Sequence, residues 1–183
     1  DKGLLYKGHK IMPYCPRCGT SLSSQEVAQG YKDVKENSLI AKFPIKGAEN
    51  EYILAWTTTP WTLPSNVALC VNPSEKYVKL ISEDGTKYIM AEALIKSVFG
   101  EDAKVEICEE YIGNDLRGLE YEPLYTFIEP DKKGYYIVAD NYVTMDGGTG
   151  IVHIAPAFGE DDSRVGKEND LPFINHVNTQ GNF

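Results

Sequence analysis

The chain has 183 residues, a formal net charge of −9, 42% hydrophobic residues and 25% charged residues. Such values are ordinary for a soluble globular protein of one domain, or one domain with a small appendage. The acidic balance argues against a domain whose main task is to grip DNA or an RNA backbone, but it permits a site for an RNA end. No apolar run approaches the roughly 20 residues that a membrane-spanning helix needs.

The ends of the chain and its cysteines bear on its origin. The chain begins at Asp1 without an initiator Met or a signal-peptide layout, so we expect a piece of a longer protein. Its four cysteines do not follow a secreted disulfide pattern, which favours a reducing compartment. Cys70 and Cys108 lie in apolar, strand-like runs and are predicted to be buried thiols.

Cys15 and Cys18 have the spacing of a zinc-ribbon knuckle, within the stretch MPYCPRCGT. A structural zinc needs four ligands, and no second CxxC or suitable histidine pair follows. His9 would supply only a third ligand. We therefore interpret residues 1–30 as part of a zinc-knuckle-like base segment that holds half of a site. The alternative, a thioredoxin-like redox pair, lacks a preceding βαβ pattern.

From residue 31 onward the pattern predicts mainly strands, because β-branched and aromatic residues recur between turn residues. The predicted strands span residues 38–45, 51–59, 67–71, 77–82, 87–90, 105–111, 134–139 and 150–154. Helices are predicted over residues 91–99 and 160–169, with a short helical turn near 23–27. Since there is no regular βαβ alternation, residues 31–183 are predicted to form a mostly β, barrel-like domain with short helices, an α+β fold.

Residues 56–66, WTTTPWTLPSN, follow directly on a predicted strand. Pro60 and Pro64 cannot donate ladder hydrogen bonds, so the strand is predicted to end at Thr59 in a rigid, irregular segment. The segment's hydroxyl groups are held on stiff side chains beside an aromatic wall, and they belong to Thr57, Thr58, Thr59 and Thr62. This combination favours a small polar pocket, although a Thr-rich edge strand has the same composition.

Residues 146–162, DGGTGIVHIAPAFGEDD, form the second unusual segment. Its glycine-rich turn precedes a strand and no Lys-Ser/Thr pair follows, which argues against a phosphate-binding loop. His153 is predicted on the strand face that carries Ile151, where a histidine is often structural. Asp161 and Asp162 open the last predicted helix, so they are either helix-capping carboxylates or functional ones.

Together these two segments resemble the editing insertion of isoleucyl-tRNA synthetases, within the class I aminoacyl-tRNA synthetases. Residues 114–124, NDLRGLEYEPL, resemble a connecting segment of that insertion, and the Cys15–Cys18 pair resembles the knuckle at its base. The related valine and leucine domains carry Arg where this chain has Thr59, so the isoleucine type is favoured. Phe158 stands where many bacterial members have His. The resemblance covers essentially the whole chain.

The resemblance implies hydrolysis of valine that is wrongly esterified to tRNA(Ile), called post-transfer editing. Asp162 would bind the α-ammonium group of the aminoacyl ester. The four threonines would hold the terminal adenosine, the ester and the attacking water, and the implied catalytic set is Thr57, Thr58, Thr59 and Asp162. The implied substrate-binding set is Trp61, Thr62, Asn66, His153, Ala155 and Asp162.

Within that set the implied roles differ. His153, with Thr59 and Trp61, would limit the size of the amino-acid side chain, and Asn66 would orient the threonine segment. No Ser-His-Asp or Cys-His set is evident, so we expect direct attack by a positioned water. The general base stays open between His153 and a hydroxyl group of the tRNA.

The expected partners are the 3′ end of aminoacylated tRNA(Ile) and its valine moiety, in the cytoplasm, with no membrane. No cofactor is expected in this chain, although the full-length protein is implied to hold a structural zinc, and its separate catalytic domain to use ATP. One alternative is a non-catalytic β module with a zinc knuckle that docks RNA or a protein. Another is an editing domain for a different amino acid.

Overall fold

A computed structural model describes residues 2–6, 8 and 10–183. The chain divides into two compact units, one formed by Asp1–Lys35 with Asn175–Phe183 and the other by Glu36–Ile174. No helix in the described part of the chain is long and apolar enough to cross a membrane. The functional division predicted after residue 30 stays a prediction.

The smaller unit contains a hairpin and one short helix: β1 (Tyr14–Cys15), β2 (Thr20–Ser21) and α1 (Ser24–Ala28). The hairpin closes through the N–H of Gly19, which donates to the Cys15 carbonyl at 2.8 Å. A capping box starts the helix, because the Ser23 hydroxyl accepts from the Glu26 N–H and the Glu26 carboxylate accepts from the Ser23 N–H. The helical turn predicted here is confirmed.

The larger unit, every residue of which the structure describes, is built on one eight-stranded sheet. Its strands are β3 (Leu39–Pro44), β4 (Glu51–Thr57), β5 (Ala68–Val71), β6 (Lys76–Ile81), β7 (Lys87–Ala91), β8 (Glu106–Ile112), β9 (Tyr136–Ala139) and β10 (Ile151–Ile154). Its helices are α2 (Ile95–Phe99), α3 (Glu160–Glu168) and the 3₁₀ helices Pro60–Ser65, Glu92–Leu94 and Gly113–Leu116.

The sheet follows the order β8-β6-β7-β4-β10-β5-β9, and β3 pairs with the free edge of β4. On its other edge β4 pairs in parallel, first with β7 and then with β10 through Trp56 and Val152. Isolated bridges from Ile45 to Tyr121 and from Glu120 to Tyr136 link β3 to β9. Backbone pairing thus runs in a circuit through β4, β10, β5, β9 and β3, and the predicted mostly β, barrel-like fold is confirmed.

Alternation along β5 shows how the sheet separates two apolar cores. Leu69 and Val71 pack into a large cluster around β3, β4, β6 and β7. Ala68 and Cys70 point to the opposite face and pack in a smaller cluster with Val165 of α3. The helix α3 therefore covers one face of the sheet, and its first turn is held beside the end of β10.

Several predicted boundaries and element types are wrong. The strand β4 ends at Thr57 rather than Thr59, because the Thr57 hydroxyl accepts from the Thr59 N–H at 3.0 Å and removes that donor from the ladder. The segment after it is a regular 3₁₀ helix instead of an irregular one. The helix predicted over residues 91–99 is split into the 3₁₀ helix Glu92–Leu94 and α2.

The two isolated cysteines differ in burial. Cys70 is fully buried as predicted, and burial raises the pKa of its thiol to about 12. The prediction that Cys108 is buried is wrong, since it is exposed on β8, where its thiol donates to the Lys79 carbonyl at 3.2 Å. The reason is the position of β8 at one end of the sheet, which leaves this strand largely uncovered.

We predict that Gly150→Ala destabilises the larger unit strongly. Gly150 has φ +70°, and a Cβ there would lie 2.4 Å from the Ala91 Cβ. Backbone strain and overpacking together should lower the free energy of unfolding by more than about 2 kcal/mol in urea denaturation. Gly147→Ala is the matched control, because a Cβ at Gly147 meets open space. Equal unfolding midpoints for the two variants would contradict the prediction.

Candidate active site

Side-chain hydrogen bonds shape the threonine segment after β4. The Thr62 hydroxyl donates to the Thr59 carbonyl at 2.9 Å, and the Thr62 N–H donates to the same oxygen at 3.0 Å. Pro60 occupies the first helical position, where no backbone donor is needed. Because these two bonds join residues of the same turn, they hold the Thr59 carbonyl and the Thr62 hydroxyl in place.

The threonine segment and the segment around β10 line one hollow of about 260 Å³ in the larger unit. They meet because β10 pairs in parallel with β4 at Val152 and Trp56. The lining comprises Trp56, Thr57, Thr58, Thr59, Thr62, Tyr142, Val152, His153, Phe158, Gly159 and Asp162. The two segments singled out in the sequence thus form a single site.

Asp162 supplies a partly buried carboxylate at the edge of this hollow. Its Oδ2 accepts the Ala155 N–H at 2.8 Å, whereas the N-cap of α3 is Gly159 and receives no side-chain bond. The carboxylate packs closely against the backbone of Gly159, which has no side chain. A Cβ at Gly159 would lie 3.1 Å from Asp162 Oδ1. Burial raises the pKa of Asp162 to about 6. No Lys or Arg lines the hollow, so the carboxylate is suited to a cationic group of a ligand.

His153 and Thr62 form the inner wall of the hollow. His153 is 9% exposed and Thr62 is 4% exposed, and His153 Nε2 lies 3.0 Å from Thr62 Oγ1. Burial lowers the pKa of His153 to about 4, so its imidazole is neutral at physiological pH. This wall therefore carries no charge opposite the Asp162 carboxylate.

Three of the predicted site residues support the hollow without lining it. Asn66 is buried, donates to the Ala68 carbonyl at 2.8 Å and accepts from the Tyr121 hydroxyl at 2.6 Å. Trp61 is half exposed and packs edge-to-face on Phe158, with ring centroids 5.4 Å apart. The backbone of Ala155 holds Asp162.

Trp56 and Tyr142 line the hollow, although the sequence assigned them no role. They also border a second hollow of about 320 Å³, as does Val152. The ring of Trp56 lies against the turn before β10, where a Cβ on Gly148 would come within 2.8 Å of Trp56 Cγ. Because they share these residues, the two hollows are adjacent and have a common aromatic wall. In the sequence, Trp56 could have been found as the first residue of its motif, whereas no local signal marks Tyr142.

In the smaller unit, the Cys18 N–H donates to Cys15 Sγ at 3.4 Å, which lowers the pKa of Cys15. The pKa of Cys18 is raised by the side-chain hydrogen bond with Cys15, so these contacts favour one thiolate rather than two. The zinc half-site, which would need both thiolates, stays a prediction. Apart from residues 1, 7 and 9, which the structure does not describe, no three His, Cys, Asp or Glu residues could hold a metal together. The suggested third ligand, His9, lies outside the described residues.

The fold matches that of solved editing domains from tRNA synthetases. The structure of GlLeuRS-CP1 has a TM-score of 0.61 at 19% identity and covers 72% of this chain and 60% of its own. The P. knowlesi cytosolic leucyl-tRNA synthetase editing domain has a TM-score of 0.58 at 16% identity, covering 73% of this chain and 64% of its own. These likenesses concern the fold.

The chain belongs to the class I tRNA synthetases (I, L, M and V), whose sequence model matches residues 1–156. Over all 183 residues it is 60% identical to an isoleucine–tRNA ligase of Clostridium acetobutylicum and 49% identical to one of Picrophilus torridus. The chain spans only 17% and 18% of the lengths of these relatives. The predicted resemblance to the editing insertion of isoleucyl-tRNA synthetases is confirmed.

We predict that Asp162→Asn stabilises the fold in a pH-dependent way. The raised pKa means that the folded chain keeps this proton to a higher pH than the unfolded chain. The contribution of Asp162 to stability therefore falls as pH rises from about 4 to about 6. In urea denaturation the variant should match the original chain near pH 4 and exceed it by about 3 kcal/mol at pH 7. A difference that does not change with pH would contradict this.

Proposed function

We propose that the larger unit hydrolyses the ester bond of valine misattached to tRNA(Ile), releasing valine and free tRNA. The observation that carries this proposal is the partly buried carboxylate of Asp162, which lines the same hollow as four threonines and has no Lys or Arg beside it there. An aminoacyl ester offers the complementary groups, an α-ammonium and an ester carbonyl. The family and the fold support the same reaction.

Asp162 is the proposed anchor for the α-ammonium group. A carboxylate that is largely withdrawn from water forms strong charge-assisted hydrogen bonds with a cation. Binding of the ammonium would also offset the burial that raises the pKa of Asp162. The Ala155 N–H occupies one carboxylate oxygen and fixes the direction of the other. The anchor would thus place the ester at a defined distance from the threonines.

The wall formed by His153 and Thr62 is the proposed limit on side-chain size. One methylene gives a binding pocket only limited discrimination, and isoleucyl-tRNA synthetase is the standard example of this limit. A second site that admits valine and excludes isoleucine solves the problem by steric exclusion. Since His153 and Thr62 are buried and bonded to each other, the wall cannot yield easily to a larger side chain.

Direct attack by water fits the lining of the hollow, which contains no Ser or Cys. The Thr62 hydroxyl, which lies beside His153, is already bonded to the Thr59 carbonyl and is not set up as a nucleophile. In this mechanism the water oxygen bonds to the ester carbonyl carbon and the bond from that carbon to the ribose oxygen breaks. One proton of the water passes to the departing ribose oxygen, which becomes a hydroxyl group. The hydroxyl groups of Thr57, Thr58 and Thr59 would orient the ester and the water. A trapped acyl-enzyme would contradict this mechanism.

The second hollow is the proposed place for the terminal nucleoside of the tRNA. It is adjacent to the first and shares Trp56 and Tyr142 with it, and the aromatic rings offer surfaces on which a base can stack. Single-base stacking needs no basic groove, which agrees with the net charge of −9. The proposed partner is therefore the 3′ end of the RNA.

The parent protein is proposed to ligate isoleucine to tRNA(Ile) with ATP in the cytoplasm, as the names of the relatives suggest. A structural zinc completed by residues of the parent is part of the same proposal. The competing function is a docking module without chemistry. A non-hydrolysable valyl-adenosine analogue separates the two, since only the editing site should shift the NMR resonances of both Thr58 and Asp162.

We predict that Asp162→Asn lowers kcat/KM for hydrolysis of Val-tRNA(Ile) by roughly 10- to 100-fold, because it removes a charge-assisted bond to the ammonium. Asp161→Asn is the matched control. Asp161 precedes it in the same helical turn, but its side chain is 61% exposed and does not line the hollow. Equal rates for the two variants in a deacylation assay would remove the anchor role from Asp162.

We predict that His153→Ala allows hydrolysis of Ile-tRNA(Ile), because it enlarges the hollow at its inner wall. The ratio of the Val-tRNA to the Ile-tRNA rate should fall in side-by-side single-turnover measurements. Asn66→Ala is a useful comparison, since Asn66 is also buried but does not line the hollow. If Ile-tRNA stays as resistant in His153→Ala as in the original chain, His153 is not the size limit.

A further inference from the structure

The contacts of the Thr62 hydroxyl determine which nitrogen of His153 carries a hydrogen atom. Thr62 Oγ1 lies 2.9 Å from the Thr59 carbonyl oxygen and 3.0 Å from His153 Nε2. A threonine hydroxyl has one hydrogen to donate and lone pairs to accept with. The same oxygen therefore cannot donate to both neighbours at once.

The carbonyl of Thr59 decides where the hydroxyl hydrogen lies. A carbonyl oxygen can only accept, so its contact with Thr62 Oγ1 requires the hydrogen of the hydroxyl. The contact with His153 Nε2 then requires a hydrogen on the ring nitrogen. In the reverse arrangement, with Thr62 donating to the ring, two acceptors would face each other 2.9 Å apart. Only one order of donors satisfies both contacts.

We infer that His153 is held as the neutral tautomer with its hydrogen on Nε2, and that it acts as a positioning residue for Thr62. Its Nδ1 is buried and has no hydrogen-bond partner among the described residues. With the hydrogen on Nε2, this nitrogen is a bare lone pair rather than a buried N–H without an acceptor. The neutral form agrees with the burial of the ring.

This arrangement assigns a task to each group. His153 donates to Thr62, and Thr62 donates to the carbonyl of Thr59, which also accepts the Thr62 N–H at 3.0 Å. The chain of bonds fixes the turn that presents the Thr59 hydroxyl to the hollow. Since Nε2 already carries a hydrogen, it cannot take a proton from water. The base in ester hydrolysis is therefore not His153 Nε2, a consequence that rests on the proposed function.

The tautomer is measured directly by long-range ¹H–¹⁵N correlation NMR on the chain with ¹⁵N-labelled histidine. The chain has three histidines, and the His153 signals are identified by their absence from His153→Gln. At pH 7 we expect the form with hydrogen on Nε2 to exceed the other neutral form by roughly tenfold or more, because the alternative leaves a mismatched buried pair. A hydrogen on Nδ1, or a doubly protonated ring, would overturn the inference.

Thr62→Val and Thr62→Ser form a matched pair that tests the role of the hydroxyl. Valine keeps the shape of threonine without the hydroxyl, and serine keeps the hydroxyl without the methyl group. We expect the tautomer preference of His153 to be lost in Thr62→Val and kept in Thr62→Ser. An unchanged preference in Thr62→Val, with the fold checked by its NMR spectrum, would show that Thr62 does not set the tautomer.

The same pair gives a kinetic result that is separate from the spectroscopic one. If the original chain hydrolyses Val-tRNA(Ile), Thr62→Val should be slower than Thr62→Ser by roughly tenfold, the loss of one buried hydrogen bond. Equal rates would overturn the positioning role. A lack of hydrolysis by the original chain would overturn the proposed function alone, because the NMR result does not depend on turnover.

Discussion

The site depends on one interaction, the hydrogen bond from the Ala155 N–H to the Asp162 carboxylate at 2.8 Å. It joins the end of β10 to the first turn of α3 and holds a charge in a place that is largely shielded from water. Burial without a cation disfavours the charged form, which is why the pKa of Asp162 lies near 6. The burial of this carboxylate lowers the free energy of unfolding at neutral pH. Titratable groups with such shifted pKa values are typical of binding and catalytic sites.

The barrel-like sheet explains why Asp162 and the threonines line the same hollow. The parallel contact of β4 with β10 at Trp56 and Val152 places the ends of both strands side by side. Beyond these ends the chain turns into the 3₁₀ helix Pro60–Ser65 on one side and α3 on the other. The hollow is the space between the start of this 3₁₀ helix and the start of α3, and the uncharged pair of His153 and Thr62 forms its inner wall. The fold therefore places the carboxylate, which could bind an ammonium group, and the uncharged wall, which could contact an amino-acid side chain, on different sides of one hollow.

Much of this could be predicted from the sequence, because strand alternation and the two motifs are local signals. The strands and the mostly β class followed from them, whereas the pairing of the threonines with Asp162 and His153 followed from the family resemblance that the two motifs carry. Features that depend on distant pairing did not. Cys108 is exposed because β8 ends the sheet, and Tyr142 lines the hollow because β9 pairs with β5. Thr57 ended its strand early through a side-chain bond that periodicity does not reveal.

The central claim is that the hollow selects an aminoacyl ester by its ammonium and by the size of its side chain. The most direct measurement is deacylation of Val-tRNA(Ile) and Ile-tRNA(Ile) side by side, with this chain in excess over the RNA. The account predicts hydrolysis of the valyl ester and resistance of the isoleucyl ester. Equal hydrolysis of both esters, or hydrolysis of neither, would contradict it.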